Sequence, residues 1–99
     1  MSFRIIGTGS AVPACRITND DLSRLVDTND EWITTRTGIR ERPILTTESV
    51  TEIAVAAARN ALENSGISPA DLDYIICPTL GGDYMTPSLA CVVQMELQA

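Results

Sequence analysis

The chain has 99 residues, 44% hydrophobic and 20% charged, which bounds it to one small globular domain or part of a larger one. Thirteen acidic residues against seven basic give a net charge of −6, and all seven basic residues are arginine, so no basic tract exists for non-specific nucleic-acid binding. No stretch is long and apolar enough to span a membrane, and residues 1–7 lack the apolar run of a signal peptide. Three cysteines without metal-ligand spacing argue against a disulfide framework and fit a reducing, cytoplasmic setting. The absence of histidine removes the commonest general base and neutral metal ligand.

Taken in order, the mainly apolar run 3–6 predicts a first strand, leaving through Gly7-Thr8-Gly9-Ser10. A phosphate-cradling loop must open directly onto a helix, but Ala11-Val12-Pro13 is extended, so a tight turn is the better reading. Thr18-Asn19-Asp20-Asp21 predicts a helix start, with Leu22, Leu25 and Val26 as its apolar face.

The stretch from Asp27 to Arg42 holds the only tryptophan and three of the seven arginines. Thr28 followed by Glu31 predicts a capping box, and Gly38 a helix stop. Thr28, Trp32 and Arg36 then recur four apart, along one helical face. Such a row suits a ligand with a flat ring and phosphates: the indole stacks and the guanidinium clamps phosphate. From spacing alone, Trp32 in a core and Arg36 in solvent is the better reading. Arg36, Arg40 and Arg42 form a local positive cluster for a phosphate or acidic partner, or else a wet surface paired with Asp30, Glu31 and Glu41.

Residues 42–47 read as a connection. Ser49-Val50-Thr51-Glu52 is a second capping box. Behind it Ile53, Ala54, Ala57, Ala58, Ala61 and Leu62 recur at helical spacing, and Gly66 closes the helix. The alanines predict close packing against a flat partner such as a sheet. Ser68-Pro69-Ala70-Asp71 predicts a cap and a brief helical turn. Residues 74–77 are continuously apolar and predict a strand buried on both faces, with Cys77 as a core residue. After a glycine-rich loop, Thr86-Pro87 predicts the start of a helix with Leu89, Val92, Val93 and Leu97 as its stripe. Cys91 lies in that helix without a histidine to activate it. The order strand, helices, strand, helix is the opening of an α/β fold with a parallel sheet, and two strands leave that sheet incomplete.

Gly7-Thr8-Gly9-Ser10, Thr18-Asn19, the block from Asp27-Thr28 through Asp30-Glu31-Trp32-Ile33 to Arg36-Thr37-Gly38-Ile39-Arg40-Glu41-Arg42, and Pro87-Ser88-Leu89-Ala90-Cys91 together resemble the N-terminal signature of β-ketoacyl-acyl carrier protein synthase III. The resemblance runs through essentially all 99 residues, and starter synthases for polyketides and quinolones share much of it. It implies the N-terminal portion of a thiolase-like fold, an incomplete parallel or mixed sheet with flanking helices, working as a homodimer. It implies a condensing acyltransferase of fatty acid synthesis that joins an acyl-CoA primer to malonyl-acyl carrier protein through an acylated cysteine, with oxyanion stabilisation by a histidine and an asparagine.

Residue by residue, the resemblance puts Thr28, Trp32 and Arg36, with Thr37, at the coenzyme A end of the substrate tunnel, which reverses the core reading of Trp32. Arg40 and Arg42 fall near the tunnel mouth, where an acidic carrier protein docks. Thr86 falls on the acyl pocket, where a residue smaller than phenylalanine implies room for longer or branched primers; it also fits a helix N-cap. No catalytic residue and no metal ligand is assigned within residues 1–99, because the resemblance puts the nucleophile just beyond them. Coenzyme A enters as substrate, not as a resident cofactor. Residues 1–99 then read as an N-terminal fragment whose partners are acyl-CoA, acyl carrier protein and the remainder of the same enzyme. The other reading is a truncated, non-enzymatic product that binds coenzyme A or pairs with a full-length subunit.

Overall fold

The computed structural model describes residues 1–99. In chain order its elements are β1 (Cys15–Thr18), α1 (Asn19–Ser23), α2 (Asp30–Thr37), β2 (Glu41–Ile44), α3 (Val50–Ser65), a 3-10 turn (Pro69–Asp71) and α4 (Leu89–Leu97). They fall into two compact units: Val12–Thr47, and Met1–Ala11 together with Glu48–Ala99.

In the unit Val12–Thr47, β1 and β2 pair antiparallel, with Cys15 opposite Ile44 and Thr18 opposite Glu41. Both lie outside the expected strands, and β2 falls on the expected connection at 42–47. Their pairing bridges residues more than twenty positions apart, so no local pattern announces it. Arg16 reaches Glu41 diagonally across the ladder, Nη1 to Oε1 at 3.2 Å, with both side chains half in solvent. Thr18 caps α1 reciprocally: its Oγ1 accepts from Asp21 N at 3.1 Å, and Asp21 Oδ2 accepts from Thr18 N at 2.9 Å. The helix ends at Ser23, so Leu25 and Val26 lie beyond it and are exposed instead of forming its apolar face.

In the second unit, the predicted capping box holds. Ser49 Oγ accepts from Glu52 N at 3.0 Å, Glu52 Oε2 accepts from Ser49 N at 3.3 Å, and Gly66 ends α3 at φ 73°. The alanine face of α3 packs on α4, whose Val92, Val93 and Leu97 are buried. It also receives the Gly7-Thr8-Gly9-Ser10 backbone. A Cβ on Gly9 would press on Ala61 N and lie 2.5 Å from the Ala57 carbonyl oxygen, so only glycine permits this approach. Asn60 and Asn64, one turn apart, donate to the carbonyls of Ser10 (2.9 Å) and Thr8 (2.7 Å) and hold the segment along the helix. The alanines therefore admit an extended backbone and a helix, where a sheet was expected.

Residues 3–6 and 74–77, the two expected strands, carry no ladder, because a strand is defined by its partner and neither has one here. Ile75 and Cys77 are half-buried, but Tyr74 and Ile76 face solvent, which corrects the expectation of burial on both faces. Between these segments and the helices lies an apolar groove of about 270 Å³, lined by Ile6, Ala58, Ala61, Ile75, Val93 and Leu97 among others. The last helix begins later than expected. Ser88, not Thr86, is its N-cap, with Oγ accepting from Cys91 N at 3.4 Å. Thr86 lies two residues before that cap and stays outside the helix. No helix is long and apolar enough to cross a membrane.

Candidate functional site

The expected nucleotide-facing residues lie in the unit Val12–Thr47, on and around α2. That helix is capped by Asn29, whose Oδ1 accepts from Trp32 N at 2.7 Å, so the expected Thr28–Glu31 box is absent. Asparagine is the stronger N-cap, and it displaces threonine by one position. Thr28 therefore precedes the helix, and the row of three shortens to Trp32 and Arg36. Those two are brought together: the Arg36 guanidinium carbon stands 4.3 Å from the indole centroid, a cation–π contact. Arg36 Nη1 also donates to the Trp32 carbonyl at 3.4 Å.

Trp32 is 52% exposed, while its neighbour Ile33 is 5% exposed and fills the core position. This overturns the core reading of the tryptophan and leaves its indole as an exposed aromatic face. At the helix end, Thr37 Oγ1 donates to the Ile33 carbonyl (2.7 Å) and accepts from Ile39 N (3.0 Å), beside Gly38 at φ 72°. The Thr37 hydroxyl is thus occupied in closing α2. Arg36 and Arg40 are exposed, and Arg42 is half-buried in β2 opposite Ile17. Thr86 is exposed and lies in the other unit.

What holds α2 in place is a residue read only as part of a helix start. Asn19 is 1% exposed, and its Nδ2 donates to Asp30 Oδ1 (2.8 Å) and to the Ile39 carbonyl (2.7 Å), with Thr34 Oγ1 at 3.4 Å. Its backbone N–H donates to the Arg40 carbonyl at 3.1 Å. One buried amide thus joins α1, both turns of α2 and the turn before β2. The Asn19 amide, then the Thr34 hydroxyl and the positive charge of Arg40, hold the Asp30 carboxyl below its ordinary range. The Thr18-Asn19 dipeptide carried this signal only as capping chemistry; the long-range bonds are invisible in a linear pattern.

Chemically, the pair presents an aromatic face beside a cation. The three thiols are free, and no group of three or more acidic, histidine or cysteine side chains is placed to hold a metal ion. An exposed indole offers stacking to a planar ring, and an adjacent guanidinium offers paired donors to an anionic group.

The chain is 49% identical over 98 residues to β-ketoacyl-[acyl-carrier-protein] synthase III of Clostridium acetobutylicum, covering 99% of this chain and 30% of the relative. It is 50% identical over 99 residues to the Aquifex aeolicus synthase III, covering all of this chain and 32% of the relative. The crystal structure of the Aquifex aeolicus 3-oxoacyl-[acyl-carrier-protein] synthase III superposes with a TM-score of 0.90 at 51% identity, over 97% of this chain and 31% of that one. The chain thus matches the N-terminal part of β-ketoacyl-[acyl-carrier-protein] synthase III. Its fold is the corresponding α/β portion of a thiolase-like fold, with a two-stranded sheet and flanking helices. The priming β-ketosynthase of the R1128 polyketide pathway is also similar, with a TM-score of 0.88 at 38% identity over 97% of this chain and 29% of that one. No family model matches. The chain spans about 30% of the length of the synthase III relatives it matches.

Proposed function

We propose that this chain supplies the coenzyme A-facing edge of a condensing acyltransferase that starts fatty acid synthesis by joining an acyl-CoA primer to malonyl-acyl carrier protein. The observation that carries the reading is the exposed Trp32 with Arg36 at 4.3 Å, on a helix anchored by a buried asparagine. In this reading the indole stacks on adenine. Arg36, with Thr28 and Thr37 close in sequence, faces the nucleotide and its phosphates, and Arg40 and Arg42 meet the acidic carrier protein. Thr86 lines the acyl pocket. The condensation itself is carried by residues outside this stretch, in an assembly with the rest of the enzyme that works as a cytoplasmic homodimer.

Isothermal titration with free coenzyme A tests the reading. Binding by the intact chain and a loss of about 5- to 150-fold in Trp32→Ala are expected, the range for removing one base–aromatic stack. Equal affinity of the two proteins would sink it. Mixing with a fragment that carries the rest of the synthase length should then restore acyl transfer.

The second reading is a non-enzymatic chain that binds coenzyme A or pairs with a full-length subunit. The exposed apolar residues Phe3, Ile5, Tyr74 and Ile76 favour such pairing. Binding that persists without turnover in every mixture would select it. The likeness to the R1128 priming enzyme keeps a polyketide starter role as the pathway alternative. Products made from malonyl-acyl carrier proteins of each pathway distinguish the two.

A further inference from the structure

The loop at residues 79–88 has almost no apolar anchorage. Leu80 and Met85 are fully exposed and Tyr84 is 62% exposed. Thr79 N to the Cys77 carbonyl (3.0 Å) and Gly81 N to Thr79 Oγ1 (3.1 Å) are bonds between near neighbours and cannot fix the loop to anything else. Asp83 is different. Its Oδ1 accepts from Val50 N at 3.1 Å and its Oδ2 from Thr51 N at 2.8 Å, across more than thirty residues.

Those two amides open α3 and have no partner within their own helix. The next, Glu52 N, is taken by Ser49. The carboxylate thus completes the first turn of α3, where its charge also suits the helix dipole. Two parallel bonds set direction as well as distance, so they fix how the loop leaves the helix. Hydrogen bonding from Thr51, then from Val50, holds the Asp83 carboxyl below its ordinary range.

We propose that Asp83 is a positioning residue: its two-oxygen grip on α3 sets the placement of the 79–88 loop, and through Thr86, three residues on, the length of acyl chain that the primer pocket admits. The link to primer length rests on the reading of Thr86 as a pocket residue. The grip itself does not.

The test compares wild type with Asp83→Ala and Asp83→Asn. Asparagine keeps the shape and one acceptor but turns an NH₂ group toward the second amide. Amide hydrogen exchange is read on the chain, and primer preference on the chain mixed with the remaining synthase length. Exchange at Val50 and Thr51 should rise at least 10-fold in Asp83→Ala and less in Asp83→Asn, with Ala57 and Ala58 in the middle of α3 unchanged. The ratio of kcat/KM for a branched or longer primer to that for acetyl-CoA should change at least 3-fold, mainly through KM. Unchanged exchange at Val50 and Thr51 overturns the proposal. So does faster exchange with an unchanged primer ratio, since that is helix capping alone. If the wild-type mixture has no turnover, the proposed function fails, and the loop's own exchange at residues 79–88 decides whether Asp83 positions it.

Discussion

The two units are held together by opposite means. Val12–Thr47 is organised by directional bonds: a reciprocal cap at Thr18, a four-residue ladder, and Asn19 reaching two other segments from a site 1% exposed. The unit of Met1–Ala11 and Glu48–Ala99 is organised by shape: alanines and glycines that let backbone and helices approach, three buried side chains on α4, and an apolar groove left open beside them. Hydrogen bonds saturate, so a small polar hub can be complete with few residues. Apolar surface does not saturate, and a unit built on it continues to offer area to whatever can cover it.

The largest effect that could sharpen this contrast is Leu97→Ala. Leu97 is 7% exposed, lines the groove and ends α4, so its truncation should cost about 3 kcal/mol in denaturant unfolding. Binding of an apolar dye should rise as the groove widens. A smaller loss is expected from Asn19→Ala, about 2 kcal/mol, because Asp30 and the Ile39 carbonyl lose a donor but keep access to water. Dye binding should not rise there. If the two variants gave the same dye response, the division into a polar hub and an apolar packing unit would be wrong.

The smallest effect is a pH dependence. Asp21, Asp30 and Asp83 all have carboxyls held below the ordinary range, Asp21 chiefly by the Thr18 backbone N–H. A group depressed on folding contributes above its unfolded pKa and loses that contribution as pH falls through the folded one. Stability should therefore be flat near neutrality and decline only in acid, below the ordinary carboxylate range. Asp30→Asn should flatten part of that decline. A loss of stability between pH 6 and 8 would contradict the assignment.

Much of this was legible beforehand wherever the cause is local. The Ser49–Glu52 box, the glycine stops at 38 and 66, the turn at Pro69 and the apolar stripe of α4 all follow from residues within a few positions of one another. The site was legible to the extent that Trp32 and Arg36 are one helical turn apart. Thr28 fell out of the row because Asn29 outcompetes it as a cap, and Thr86 is not the cap of α4 because the Ser88 hydroxyl, two residues on, takes the Cys91 N–H. Asn19 and Asp83 were passed over because their partners lie at least eleven residues away.

The sequence by itself determined where α3 begins and ends and where α2 stops, that the chain is acidic without a nucleic-acid-binding tract, and that a tryptophan and an arginine share a helical face. Those are consequences of backbone propensity and short-range hydrogen bonding, which act over one or two turns. Only the tertiary structure decided which apolar runs gained partners, that the indole faces outward while Ile33 faces in, and that two exposed-looking polar residues anchor whole segments. Strand pairing, burial and capping at a distance depend on groups that meet only after the chain has closed loops of tens of residues, and no local pattern records which groups those will be.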